Sequence, residues 1–179
     1  MITLIGILRR IEPLEVVAKG IAVMFAYLLG YTITSHFHEA SSLMGAMLAC
    51  VSAIVVQQQP DIRHAIQQGW LRVLGTFIGA VVAYIYLVHF RFSAVGMVVA
   101  VVLEEVVCML FRVPDNGKMA TITLVIVLIV SEESPDLTPL ANGLLRFSEA
   151  TVGAIVGIAA AWLADRLRRR LYASASSEK

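Results

Sequence analysis

Charge is scarce in this chain. Of its 179 residues only 15% are Asp, Glu, Lys or Arg, 59% are hydrophobic, and the mean hydropathy is +0.82. Soluble domains sit near about 45–50% apolar, so little polar material remains for a folded soluble domain once spanning segments are counted, and the chain reads as one integral membrane domain. Cysteine is nearly missing too. Cys50 and Cys108 both fall inside apolar runs without CxxC or metal-like spacing, which marks them as small apolar fillers and implies no redox role. His36 and His38 lack a third or fourth ligand, and His64 and His89 stand alone, so no metal or other cofactor is expected. There is no Walker loop, activated Ser or Cys, or soluble acid pair, which argues against an enzyme and leaves no catalytic residue to assign. A nucleic-acid partner is not expected either.

What is present is apolar and long. A membrane helix needs about 17–25 apolar residues, and six stretches meet or approach that: 14–33, 41–56, 70–90, 94–111, 114–130 and 147–167. The polar stretches SHFHEASS, QQQPDIRHAIQQ, HFRFS, FRVPDN and SEESPDLTPLANG read as loops between them. The runs are too long and too continuously apolar for the alternation of a membrane barrel. The expected organisation is an N-terminal cytoplasmic segment over 1–13, a six-span all-α membrane domain over 14–167, and a tail over 168–179 that is basic and then disordered.

Basic residues fix the expected orientation, because cytoplasmic flanks carry an excess of them. With the N-terminus inside, that side holds Arg9, Arg10, Lys19, Arg63, Arg72, Arg112, Lys118, Arg166, Arg168, Arg169, Arg170 and Lys179, and the outer side holds Arg91 and Arg146. Both termini are then cytoplasmic. Arg9 and Arg10 are followed by Glu12, Pro13, Glu15 and Lys19 inside the next segment, which reads as an uncleaved first span and not a secretion signal. Pro13 suits a first helical turn, and Glu12 and Glu15 suit the positive end of its dipole.

Two segments resemble each other: RVLGTFIGAVVA from Arg72 and RFSEATVGAIVG from Arg146. In register, Gly75 falls on Glu149, Thr76 on Ala150, Gly79 on Gly153, Ala80 on Ala154 and Val82 on Val156. Three helices per unit is an odd number, so a 3+3 inverted repeat follows, with Arg72 at the cytoplasmic mouth and Arg146 at the outer one. Such repeats recur in transporters around a midplane site. Gly75 and Gly79, and Gly153 and Gly157, are four apart and mark faces for close helix packing.

The ionisable residues within the spans carry the functional reading. A cation in a first helical turn opposes the macrodipole by about 0.3–1 kcal/mol, and Arg72 and Arg146 are both read there. Something negative therefore faces them: a substrate carboxylate, a lipid phosphate or a protein carboxylate, with Glu149 three residues after Arg146. A snorkelling interfacial anchor is the alternative. Glu104 and Glu105 lie midway along the fourth span, where lipid exposure is costly; they point about 100° apart and serve either proton coupling or helix packing, as does Glu149. Lys19 is either an i,i+4 partner of Glu15 or an anion ligand. Gln57, Gln58 and Gln59 line a polar vestibule or cap an interface. The basic run RLRRR answers to orientation, or to anionic headgroups.

The stretch QQQPDIRHAIQQGWLRVLGTFIGAVVA, followed by the second Arg-led helix with Arg146, Gly153 and Gly157, resembles the fusaric acid resistance and aromatic acid exporter superfamily, and more remotely the plant aluminium-activated malate transporters. The resemblance covers essentially Ser41 to Leu167, and Glu149 departs from it where the first half has Gly75. It implies six spans in a bacterial inner membrane and a homo-oligomer, a dimer being favoured. It also implies transport of small organic anions, aromatic carboxylates among them, out of the cell, as a secondary exporter or an anion channel. Arg72, Arg146 and Lys19 would then meet substrate. A membrane scaffold or assembly partner is the competing expectation.

Overall fold

Long runs of Leu, Val, Ile and Ala favour helix in an apolar setting, where every backbone polar group must be satisfied within its own segment. A computed structural model describes residues 13–110 and 114–177, and all regular structure in them is helical. The helices are α1 (Pro13–Phe37), α2 (Ser42–Gln57), α3 (Ile62–His89), α4 (Ala94–Leu110), α5 (Pro114–Glu133) and α6 (Pro139–Ser177), with a short 3-10 turn over Glu39–Ser41 before α2. Among the described residues, four segments are long and apolar enough to cross a membrane: Leu14–Phe37, Glu39–Gln57, Ile62–His89 and Pro139–Arg170. Of the other two helices, α4 has 17 residues and α5 has 20. Arg9, Arg10, Glu12 and Arg112 lie outside the described residues, as does Phe111, where the fourth apolar run was expected to end.

Two helices start eight residues before their apolar runs do. The third begins at Ile62 instead of Trp70, because Asp61 is an extended N-cap whose carboxylate accepts the His64 backbone N–H at 2.9 Å. The sixth begins at Pro139 instead of Phe147, because Thr138 Oγ1 accepts the Ala141 N–H at 3.3 Å and proline suits the first helical position. The loops therefore contain helix starts, and neither arginine occupies a first turn. Arg72 lies about 15 Å along α3 and Arg146 about 10 Å along α6 at 1.5 Å per residue. At its other end α6 runs through Ser177, into the tail expected to be disordered, since Arg, Leu and Ala favour helix.

The packing is inverted relative to a soluble protein. Alanine dominates the buried apolar set (Ala26, Ala46, Ala49, Ala53 and Ala83 among them), while Val16, Leu43, Trp70, Val95 and Leu144 point outward. Small residues let helices approach where there is no hydrophobic drive between them. α6 runs parallel to α2, and a Cβ on Gly153 or Gly157 would strike the carbonyl of Ala49 or Ala53. α3 meets α5 the same way, with Gly79 against the Ala120 carbonyl. α3 and α6 are antiparallel, since Phe77 stacks edge-on with Phe147 at 5.8 Å, Gly143 faces Ala80 and Gly69 faces Ile158. Gly75 is buried on the same face of α3.

The two ends of the bundle are tied differently. At one end His38 bridges the loops before α2 and α6, its Nε2 2.9 Å from Asp136 Oδ2 and its Nδ1 3.0 Å from Ser41 Oγ. At the opposite end Glu15 on α1 pairs with Arg168 on α6. That interhelical bridge replaces the Glu15–Lys19 pair expected from spacing, because α6 extends far enough to reach α1.

Candidate functional site

α3 and α6 carry the two repeat arginines into the interior, where Arg72 is 5% and Arg146 1% exposed. The sequence placed them at opposite mouths of the membrane. In the folded chain both line one cavity, together with Leu48, Thr76, Met119, Ile122, Thr123, Ile126 and Ala150. The antiparallel register explains this: Arg146 falls level with the part of α3 just beyond Phe77, so the two Cα atoms are separated along the axis by about 9 Å. The guanidinium stems can reach a common space from there. That space is small, about 10 Å³ of room for the centre of a water-sized sphere, about enough for one water.

The two arginines are neutralised unequally. Arg72 donates from Nε to Ser52 Oγ at 2.6 Å and from one terminal nitrogen to Met119 Sδ at 2.7 Å, a weak acceptor. Among the described residues no carboxylate lies within ion-pair reach of it. Arg146 has one, Glu149 Oε2 at 3.0 Å, the protein carboxylate among the candidates that the sequence offered. The pairing is close but poorly directed, so none of the three Arg146 nitrogens has an aligned protein acceptor, and Glu149 Oε2 has no aligned donor. The other carboxylate oxygen accepts the Thr34 hydroxyl at 2.5 Å. Glu149 is fully buried behind Arg146, wedged against α1 and against Gly45 of α2, where a Cβ would come within 2.5 Å of Oε1.

The other site candidates stand apart. Glu104 is fully buried on α4 and accepts the Thr121 hydroxyl at 2.6 Å and the Cys108 thiol at 2.9 Å. Glu105 lies against α5, where a Cβ on Gly117 would meet its carboxylate at 2.7 Å. Lys19 is part of a separate polar pocket of about 300 Å³ at the Arg168 end of the bundle, with Glu15, Gln57, Gln58, Gln59, Asp61, Asp165 and Arg168 in its wall. Cys50 is a free thiol that reaches the Val23 carbonyl at 3.5 Å.

Several residues around the arginines had no assigned role in the sequence: Ser52 and Met119, which accept from Arg72, Thr34, which donates to Glu149, and Thr76, which lines the cavity. Asn142 is another. Fully buried one turn before Arg146, it donates to the Val127 carbonyl at 3.1 Å and to Ser131 Oγ at 3.0 Å, fixing α6 on α5. Its signal was its place four residues ahead of Arg146, visible only once the helix is known to start at Pro139. Ser52 carried a similar signal, sitting on the small-residue face of α2 with Ala49 and Ala53.

A family described as "Fusaric acid resistance protein-like" matches residues 21–160. The chain is also 30% identical over 148 residues to the p-hydroxybenzoic acid efflux pump subunit AaeB of Yersinia enterocolitica. That alignment covers 78% of this chain and 22% of the relative, so the chain spans about a fifth of the relative's length. No solved structure matches it.

Proposed function

The chain belongs to the fusaric acid resistance protein-like family, and from that premise we propose that it moves small organic anions, aromatic carboxylates among them, out of the cell. The observation that carries this is the pair of buried guanidiniums lining one cavity, with the donors of Arg146 unfilled by aligned acceptors and Arg72 without a counter-ion. A guanidinium held away from water has strong affinity for a carboxylate, whose two oxygens match its fork. In this reading the cavity is the closed form of a passage that opens as helices rearrange, in either a secondary exporter or a channel.

The proposed architecture is six spans in a 3+3 inverted repeat with both termini cytoplasmic, in a bacterial inner membrane. It draws support from the cavity wall: the shift that carries Arg72 onto Arg146 also carries Leu48 onto Ile122 and Thr76 onto Ala150, and all six line it. Gly79 and Gly153, equivalent in the same register, each press on a carbonyl of a neighbouring helix. Orientation draws support from the ends of the bundle. The loops joined through His38 and Asp136 both belong to the proposed outer side, while Glu15, Gln57–Gln59 and Arg168 share the proposed inner end. Lys19 and the glutamines then form an inner vestibule for the anion. Glu104, with both oxygens occupied by Thr121 and Cys108, suits packing better than proton coupling. A homodimer completes the proposal.

Flux of a labelled aromatic carboxylate from proteoliposomes tests the reading. Arg72→Gln should lower it by at least about tenfold, the effect of losing about 1.4 kcal/mol of anion stabilisation, with assembly unchanged on size-exclusion chromatography. A membrane scaffold is the second reading, favoured by the near-closed cavity. Flux equal to that of empty liposomes across several organic anions would select it.

A further inference from the structure

Three charges surround the cavity, and their sum is informative. Arg72 and Arg146 line it, and Glu149 stands 3.0 Å from Arg146. Among the described residues no other ionisable side chain lines the space or lies within ion-pair reach of either arginine. The site thus carries one net positive charge, and the remainder of its wall is Leu48, Ile122, Ile126, Ala150, Met119 and two threonines. We propose that Glu149 sets the valence of the anion: it cancels one guanidinium and leaves room for one negative charge, so the site takes monocarboxylates and turns away dicarboxylates. This inference rests on reading the cavity as an anion passage.

Glu149 is held from both sides. The Thr34 hydroxyl donates to one oxygen at 2.5 Å and the Arg146 guanidinium lies 3.0 Å from the other, an ion pair buried against α1 and α2. Packing against Gly45 keeps it behind Arg146, out of the path. The corresponding place in the first half is Gly75, which supplies no counter-charge, so Arg72 is left for the solute. A dianion would bring a second carboxylate to a wall whose other cation, Arg146, is already cancelled by Glu149, and a charge left without a counter-charge in such surroundings is strongly disfavoured.

Two probes of the same ring size isolate the effect: p-hydroxybenzoate, a monoanion at neutral pH, and benzene-1,4-dicarboxylate, a dianion. Wild-type proteoliposomes should favour the monoanion by at least about tenfold. Glu149→Gln, which keeps the volume and raises the site to two positive charges, should shift that ratio by about tenfold toward the dianion. The double variant Arg146→Gln/Glu149→Gln returns the site to one positive charge and should restore the wild-type ratio. Equal scaling of both fluxes in Glu149→Gln, or a double variant that keeps the shifted ratio, overturns the proposal. If Glu149→Gln fails to assemble, thermal stabilisation of detergent-solubilised wild-type protein by each acid decides: equal or greater stabilisation by the dianion overturns it. Absence of flux for both acids sinks the transport reading instead, and the stabilisation ratio still judges Glu149.

Discussion

Arg72 and Arg146 occupy equivalent places in two similar segments, are almost equally buried, and face the same cavity, yet they are held in opposite ways. Arg146 has its counter-charge on its own helix, and that carboxylate is braced in turn by Thr34 on α1 and Gly45 on α2. Arg72 is held by a hydroxyl and a thioether, neither of which cancels its charge. Under the proposed function, the difference separates structural from functional use of one residue type. A buried ion pair with a braced carboxylate ties three helices together, whereas a buried cation with only neutral partners keeps its electrostatic capacity for something that arrives.

The largest test of this contrast is to remove each cation in turn. Arg146→Ala leaves Glu149 buried and unpaired, and breaking a buried pair in this way costs about 3–5 kcal/mol. Thermal unfolding in detergent should therefore show a large loss for Arg146→Ala. Arg72→Gln should lose flux with a clearly smaller loss of stability, since it leaves no unpaired charge behind. Replacing both members of the pair, Arg146→Met with Glu149→Leu, should recover most of the lost stability, because no uncompensated charge remains. Equal destabilisation by the two arginine substitutions would erase the distinction.

A finer test removes one neutral partner on each side. Ser52→Ala takes away the acceptor of Arg72 Nε, and Thr34→Val takes away the donor to Glu149. Hydrogen bonds to charged groups contribute about 1.5–3 kcal/mol, so each should lower stability by an amount in or below that range. Their effects on transport should differ. Ser52→Ala loosens the guanidinium proposed to meet the solute and should depress flux more than Thr34→Val, which acts behind the ion pair. If the two variants change flux alike while differing in stability, the arginines share one role.

Much of this was legible in the residues and some was not. The apolar runs gave the helices, the glycine spacing gave the faces on which α6 meets α2 and α3 meets α5, and i+3 spacing put Glu149 among the candidate partners of Arg146. Each of these depends on local geometry that a helix imposes wherever it forms. The convergence of the arginines was hidden because it depends on two things that composition masks. The helices begin inside polar loops, at Asp61 and Thr138, where hydropathy falls but capping is satisfied. And α3 packs antiparallel on α6 in a register set by Phe77, Ala80, Phe147 and Gly143, a tertiary choice that no single segment encodes. The partners Ser52 on α2, Met119 on α5 and Thr34 on α1 are tertiary in the same sense, each on a different helix from the charge it meets. So is the pairing of Glu15 with Arg168 on the extended α6.

The smallest expected effect concerns the two helix starts. The α3 cap titrates and the α6 cap does not: Asp61 holds the His64 N–H, whereas Thr138 holds the Ala141 N–H through a hydroxyl. The His64 backbone N–H, and then the His64 ring, hold the Asp61 carboxyl below its ordinary 3.8. A carboxyl whose value is lowered by folding contributes stability that is present above 3.8 and is lost as pH falls through the lowered value. Acidification should therefore loosen the first turn of α3 before that of α6, seen as a shift of the His64 backbone amide in NMR spectra of labelled protein. Asp136 is also held low, first by its hydrogen bond with the His38 ring, but its release loosens that loop contact and not the Ala141 amide. Asp61→Asn, which caps a helix nearly as well without titrating, should flatten the His64 response and keep the helix start. Parallel shifts at His64 and Ala141 in the wild type would mean that the two helices are not capped by the different chemistries described here.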